Sequence, residues 1–166
     1  MDNPNTSYQL EPGYVYTSAE EASVMTVVGT SVAVSIFDKT HKSGGVCNFL
    51  YPKPAPAEPS NAYYGTAAIT ALVRNLLETG AKTMNMESQI FGGAASEESP
   101  DSRDIGEENI QIARKMLNYY KIKIVSESVG GSKGKKLIFK TNNGEVLLYK
   151  STQVREGDWY PYKARI

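Results

Sequence analysis

Nucleophilic catalysis needs a reactive oxygen or sulfur with a base beside it, and this chain has few groups that qualify. It contains one cysteine, Cys47, and one histidine, His41. The richer pattern is Gly29-Thr30-Ser31, at the head of the apolar run Val32 to Phe37. Glycine lets the backbone turn sharply and lets another group come close, so the amides of Thr30 and Ser31 are placed to face a bound carbonyl oxygen. On spacing alone this is ordinary loop chemistry. Cys47 lies in a second apolar run and reads as a buried thiol, the usual state of a free cysteine. His41 lies in the polar turn between the runs and reads as a solvated loop residue.

Both runs belong to the stretch from Val24 to Pro52, which reads as two strands joined by a turn. Val32, Val34 and Ile36 alternate with Ala33, Ser35 and Phe37, a β-branched pattern suited to a buried strand. Asp38 to Gly45 supplies turn residues and ends in Gly44-Gly45. Val46 to Tyr51 returns, and Pro52, which has no N–H for a ladder, ends it.

The flanking chain reads as follows. Residues 1–7 are too polar to order, and a strand covers Tyr14 to Thr17. Lys53 to Pro59 is a stiff proline-rich connector. Ser60 or Asn61 caps a helix over Ala62 to Thr79, with Ile69, Leu72, Val73 and Leu76 inward and Gly80 past its end. Met84 to Phe91 is a strand, and Gly92-Gly93-Ala94 turns at its end. Ala95 to Asp104 is an acidic loop. Its Glu97, Glu98, Asp101 and Asp104 lack EF-hand spacing, so no metal site is expected. A second helix spans Glu107 to Tyr120, with Ile110, Ala113, Met116, Leu117 and Tyr120 inward. Ile122 to Ser126 is a strand, and Gly130 to Lys135 is a loop without P-loop spacing. Asn143-Gly144 joins strands Leu137 to Lys140 and Glu145 to Lys150. Tyrosines such as Tyr63, Tyr64, Tyr119 and Tyr120 suit the rim of a core. The aromatic segment with Trp159, Tyr160 and Tyr162 is expected to fold back on its own domain.

Composition narrows the class. The 166 residues are 40% apolar, with eighteen basic and eighteen acidic side chains. That fits one domain over 1–166, with a core at about 10–150 and a tail at 151–166. No basic stripe with interleaved aromatics points to nucleic acid. No apolar run approaches the roughly 20 residues that span a bilayer, and the polar start is not a signal peptide. Together with the single cysteine, this leads to a cytoplasmic protein with no cofactor. Strands in hairpin pairs predict an α+β fold: a layered sandwich of mixed, hairpin-rich sheet against two helices.

The ordered motifs carry a resemblance. Gly29 to Val34, Asp38, Gly44-Gly45 and Asn48-Phe49-Leu50-Tyr51-Pro52 resemble the signature of the chemoreceptor glutamine deamidases, the CheD family. Tyr64 to Ala68, Gly80-Ala81, Ile90 to Ala94, Ile105 to Asn109, and Gly130-Gly131 with Gly134-Lys135 follow in the same order. The resemblance runs from Leu10 to Lys150. It implies a cysteine hydrolase fold that converts receptor glutamine side chains to glutamate and ammonia. The family's cysteine position holds Ser31 and its histidine position holds Asn48. An assisting threonine matches Met25 in register, with Thr26 one residue away. The resemblance places Gly29, Thr30, Gly92 and Gly93 around the substrate in the site cleft. The family has an arginine where this chain has Glu108.

These departures decide the expected chemistry. Asparagine cannot take a proton near neutrality, and a serine hydroxyl without a strong base is a poor nucleophile. Losing one member of such a unit costs on the order of 10⁴ to 10⁶ in rate. Cys47 adjoins Asn48, so in a regular strand it faces away from the site, and only a bulge re-aims it. His41 is roughly 30 Å along an extended chain from Ser31. The expectation is a catalytically impaired chemotaxis protein that binds methyl-accepting chemotaxis receptors or a CheC-type phosphatase. The alternative is an active protein-glutamine amidohydrolase using Ser31 or Cys47.

Overall fold

The computed structural model describes residues 6–95 and 101–150, with residues 101–104 described by backbone alone. Expectations for residues 1–5, for Glu97 and Glu98, for the side chains of Asp101 and Asp104, and for Trp159, Tyr160 and Tyr162 lie outside the described residues. In chain order the elements are β1 (Ser7–Gln9), β2 (Tyr14–Ser18), β3 (Ser23–Val28), β4 (Val32–Asp38), β5 (Ser43–Phe49), α1 (Gly65–Glu78), β6 (Met86–Gly92), α2 (Asp101–Tyr119), β7 (Lys123–Val129), β8 (Lys135–Lys140) and β9 (Val146–Lys150).

Side-chain alternation sets the layers. Val32, Val34 and Ile36 of β4, with Cys47 and Phe49 of β5, share one core with Ile69, Leu72 and Leu76 of α1 and Ile110 and Leu117 of α2. The intervening residues face the other way: Ala33 packs with Val28, Phe91 and Leu137, and Val46 with Val24 and Phe139. The helices therefore cover one face of a five-stranded sheet, ordered β2-β5-β4-β6-β7. A four-stranded sheet, ordered β1-β3-β8-β9, covers the other face. The α+β layered sandwich expected from the sequence is the fold observed. Burying one Leu or Ile side chain here contributes about 1.5–3 kcal/mol, and these positions recur in both cores.

Several elements differ from expectation, each for a physical reason. The stretch before Gly29 is a separate strand, β3, in the other sheet, where it pairs with β1 and β8. β6 and β7 run parallel, joined through α2, so one βαβ unit sits among the hairpins. The pair Gly44-Gly45 lies inside β5 rather than in the turn. A Cβ on Gly45 would stand 2.7 Å from Leu72 Cδ1 on the helix side and one on Gly44 2.9 Å from Phe139 Cζ on the other, so close packing on both faces, not turning, requires glycine there. α1 starts at Gly65 because Asn61 closes a turn of its own, its Oδ1 accepting from the Tyr63 amide. The first helical amides of Gly65 and Thr66 then donate to Tyr51 O and Pro52 O, which ties the helix to the end of β5. α2 begins at Asp101, within the stretch expected to be loop.

The β4–β5 turn is organised by Asp38, which is fully buried. Its carboxylate accepts from the amides of Thr40, His41 and Lys82, each at 2.8 Å. Burial pushes this carboxyl up, but the amides of His41, Lys82 and Thr40 outweigh it and hold the group below its ordinary value. A depressed carboxyl stabilises the fold at pH above its unfolded value of about 3.9 and loses that contribution as pH falls through the folded value. Asp38→Asn is therefore expected to cost about 1–3 kcal/mol at neutral pH in urea unfolding. Its deficit against the parent should shrink on acidification below the carboxylate range. A deficit that stays constant from neutral to strongly acid pH would show that the charge plays no part.

Candidate active site

Alternation along β3 places Val24, Thr26 and Val28 inward and leaves Met25 on the opposite face. The sequence register left Met25 and Thr26 open, and it is Thr26 that faces the other sheet. Across the interior, Asn48 Nδ2 donates to Thr26 Oγ1 at 2.8 Å and to Val27 O at 3.0 Å. Thr26 Oγ1 in turn donates to Leu10 O at 2.8 Å. Only a donor can face the Val27 carbonyl, so the orientation of the Asn48 amide follows from its partners. Its Oδ1 is buried without a partner among the described residues.

Ser31 is the residue before β4, and Asn48 lies opposite Ala33, two positions further along. The hairpin thus brings the two to the same end, and no hydrogen bond joins them. Thr26, Ser31 and Asn48 are all buried, the most exposed at 1%, so they sit in the interior rather than lining an open cleft. Surface grooves run elsewhere: one of about 570 Å³ along α1 beside Thr66, Thr70 and Arg74, another of about 420 Å³ between α2 and β7 beside Arg114 and Glu127.

The turn carrying Ser31 is held through its carbonyls. Gly29 O accepts from the Ala94 amide and Ser31 O from the Gly93 amide. Thr30 O accepts from Asn109 Nδ2, which also donates to Leu50 O, both at 2.9 Å. Gly92 and Gly93 have φ of 106° and 69°. A Cβ on Gly93 would stand 2.4 Å from Ile110 Cγ1. Gly29, Thr30, Ser31, Gly92 and Gly93 are therefore brought together. Two contributors were missed. Asn109, fully buried, stands four residues before Ala113 on the inward face of α2, and a polar residue on an apolar stripe was the available signal. Lys135, assigned to a loop, is in β8 opposite Val28. Its ammonium crosses between the sheets to donate to Ser128 O at 2.7 Å, and burial, then Lys150, lowers its pKa.

Neither Cys47 nor His41 joins Ser31 and Asn48. The β4–β5 pairing runs unbroken from Val32↔Phe49 to Asp38↔Ser43, so no bulge turns Cys47 toward Asn48. Cys47 lies in the helix-facing core, and burial pushes its thiol up to about 12. His41 is exposed on the turn, its Nδ1 3.0 Å from Ser43 Oγ.

The model of the CheD family, described as CheD chemotactic sensory transduction, matches residues 51–150. The chain belongs to the CheD family. It is 34% identical to a probable chemoreceptor glutamine deamidase CheD of Trichlorobacter lovleyi over 91% of this chain and 94% of that one. The probable chemoreceptor glutamine deamidase CheD 1 of Anaeromyxobacter dehalogenans is 35% identical, over 81% and 79%. The CheD match to the family model takes in both helices and β6 to β9 and begins just after the β4–β5 hairpin. The alignment to the first of these CheD relatives covers enough of the chain to include that hairpin.

The geometry makes Asn48 a bridge between sheets, with a testable consequence. Asn48→Ala should cost about 1–3 kcal/mol, because Val27 O loses its donor. Asn48→Asp should cost more at neutral pH, since a buried carboxylate would face the Val27 carbonyl. Its introduced carboxyl would have a raised folded pKa, so the deficit should grow as pH climbs from the unfolded value of about 3.9 toward 7. Urea midpoints that leave the Asp variant as stable as the parent at neutral pH would refute the bridge.

Proposed function

We propose that this CheD-family protein acts by binding, docking on methyl-accepting chemotaxis receptors or on a CheC-type phosphatase, and has little or no glutamine deamidase activity. Ser31 stands at the family's nucleophile position, Asn48 at its histidine position, and Thr26 in the role of its assisting threonine. The observation that carries this reading is the state of Asn48, whose amide nitrogen is committed to Thr26 Oγ1 and Val27 O. Thiol or hydroxyl attack on a carboxamide needs a base that accepts the nucleophile's proton and returns it to the leaving ammonia. An amide does neither. The names of the CheD relatives support the receptor as the target class.

The test is ammonia release from a glutamine-containing receptor fragment, with an active CheD protein as control and binding measured in parallel by calorimetry. Binding without ammonia above background is the expected result. Ammonia release that Ser31→Ala abolishes would instead establish a serine amidohydrolase.

The double change Ser31→Cys with Asn48→His should give weak deamidation. The turn that presents residue 31 is intact, and each backbone oxyanion donor in such hydrolases is worth roughly 3 kcal/mol. The sequence register alone would favour adding Met25→Thr. Alternation along β3 argues against it, since residue 25 faces away from Asn48, and Thr26→Val should abolish the rescue instead. Rescue that rises with Met25→Thr and survives Thr26→Val would overturn the role given to Thr26.

A further inference from the structure

The gap between the two sheets is charged at one end. Lys135 opens β8 and Lys150 closes β9, and the two are paired in register, so their side chains leave the sheet on the same face. That face is the inner one, since Leu137, two residues after Lys135, and Leu148, two before Lys150, pack with Val28 and Phe91. Lys135 is 7% exposed. An ammonium has three donors; one of them meets Ser128 O, and no carboxylate among the described residues pairs with it. Glu127 is held by Arg114, and Glu145 lies by Lys140 at the other end of β8. The charge that does act on Lys135 is Lys150, of like sign. A buried cation without a counter-charge costs free energy, and an anion in this mouth relieves that cost. The mouth abuts the turn that carries Ser31. Lys135 lies opposite Val28, the residue before Gly29. The Gly130 amide donates to Gly92 O, and Gly92 lies against Ser31 O. The approach is open, because a Cβ on Gly130 or Gly131 would meet nothing within 4 Å.

We propose that Lys135, with Lys150, takes the carboxylate of a glutamate side chain on the docked receptor, so that this protein prefers a receptor surface in its glutamate form to the same surface in its glutamine form. The inference rests on the docking reading above and adds the chemical state that is recognised. A carboxylate brings a charge and two acceptor oxygens to the donors that Lys135 has left, whereas a carboxamide brings one oxygen and no charge. Deamidation of glutamine gives glutamate, so the preference reads the product of the reaction for which the CheD relatives are named. Reading that product needs no base at position 48.

Calorimetry with two forms of one receptor fragment tests this, its glutamines intact in the first and all replaced by glutamate in the second. The glutamate form should bind roughly tenfold tighter, as a charge-assisted pair predicts, and the preference should shrink as sodium chloride is raised. Lys135→Met should bring the two affinities together, whereas Lys136→Met, one residue away and exposed on the outer face, should leave the preference intact. If Lys135→Met unfolds the protein, Lys150→Met, at an exposed position, decides: a preference reduced several-fold supports the inference, and an undiminished one refutes it. Equal affinities in the unmodified protein, or a tighter glutamine form, would overturn the inference and leave the docking reading standing. So would a preference that survives Lys135→Met in a folded protein, since another cation would then be the reader. A fragment bound in neither form would remove the receptor reading and this inference with it.

Discussion

The structure depends on the burial of the β4–β5 hairpin on both faces. All seven residues of β5 are buried, as are all of β4 except the half-buried Phe37. Helices cover one side and a second sheet the other, so the buried side chains of its two strands cannot be satisfied by bulk water. The buried polar side chains are driven to partners inside the protein, although Asn48 Oδ1 has none among the described residues. Asp38 finds three backbone amides, and Asn48 finds Thr26 and Val27. The glycines of β5 follow from the same constraint, because two layers press on the strand at once and leave no room for a Cβ.

That constraint changes what the substitution at position 48 means. An imidazole at this place has one N–H for Thr26 and one lone pair left to take a proton. An amide spends its nitrogen on two acceptors and keeps an oxygen that cannot serve as a base. Asn48 therefore holds two sheets together. Thr26 in turn donates to Leu10 O. Cys47 cannot recover the chemistry, because the unbroken register turns it into the helix-facing core, where a thiolate is least stable.

What could be read from sequence follows the strength of the local signal. The alternation in β4, the apolar stripes of α1 and α2, and Asn143-Gly144 between β8 and β9 each carry one unambiguous period or turn. β3 was missed because Met25 and Val27 on its outer face are as apolar as Val24 and Val28 on its inner face, which hides the two-residue period. β1 has three residues and no pattern of its own. The start of α1 was misplaced because Asn61 is a good cap by type, yet its side chain closes a turn ahead of the helix. Ser31 and Asn48 were found through family likeness alone; nothing in their types or spacing marks a site, since what joins them is the hairpin register and what joins Asn48 to Thr26 is sheet packing.

The retained glycine motifs deserve weight only for what the packing explains. Gly92 and Gly93 take left-handed backbone angles and lie against Ile110 and the Ser31 carbonyl. A Cβ on Gly106 would stand 2.6 Å from Gly93 O, and Asn109 fastens α2 to both ends of the hairpin. Replacing any of them would disturb the contact between helix and sheet whether or not a reaction takes place. Folding alone is enough to keep this turn, while nothing in the packing requires a thiol at 31 or an imidazole at 48. The backbone of this turn is held by packing and carbonyl hydrogen bonds that do not depend on which side chain stands at 31.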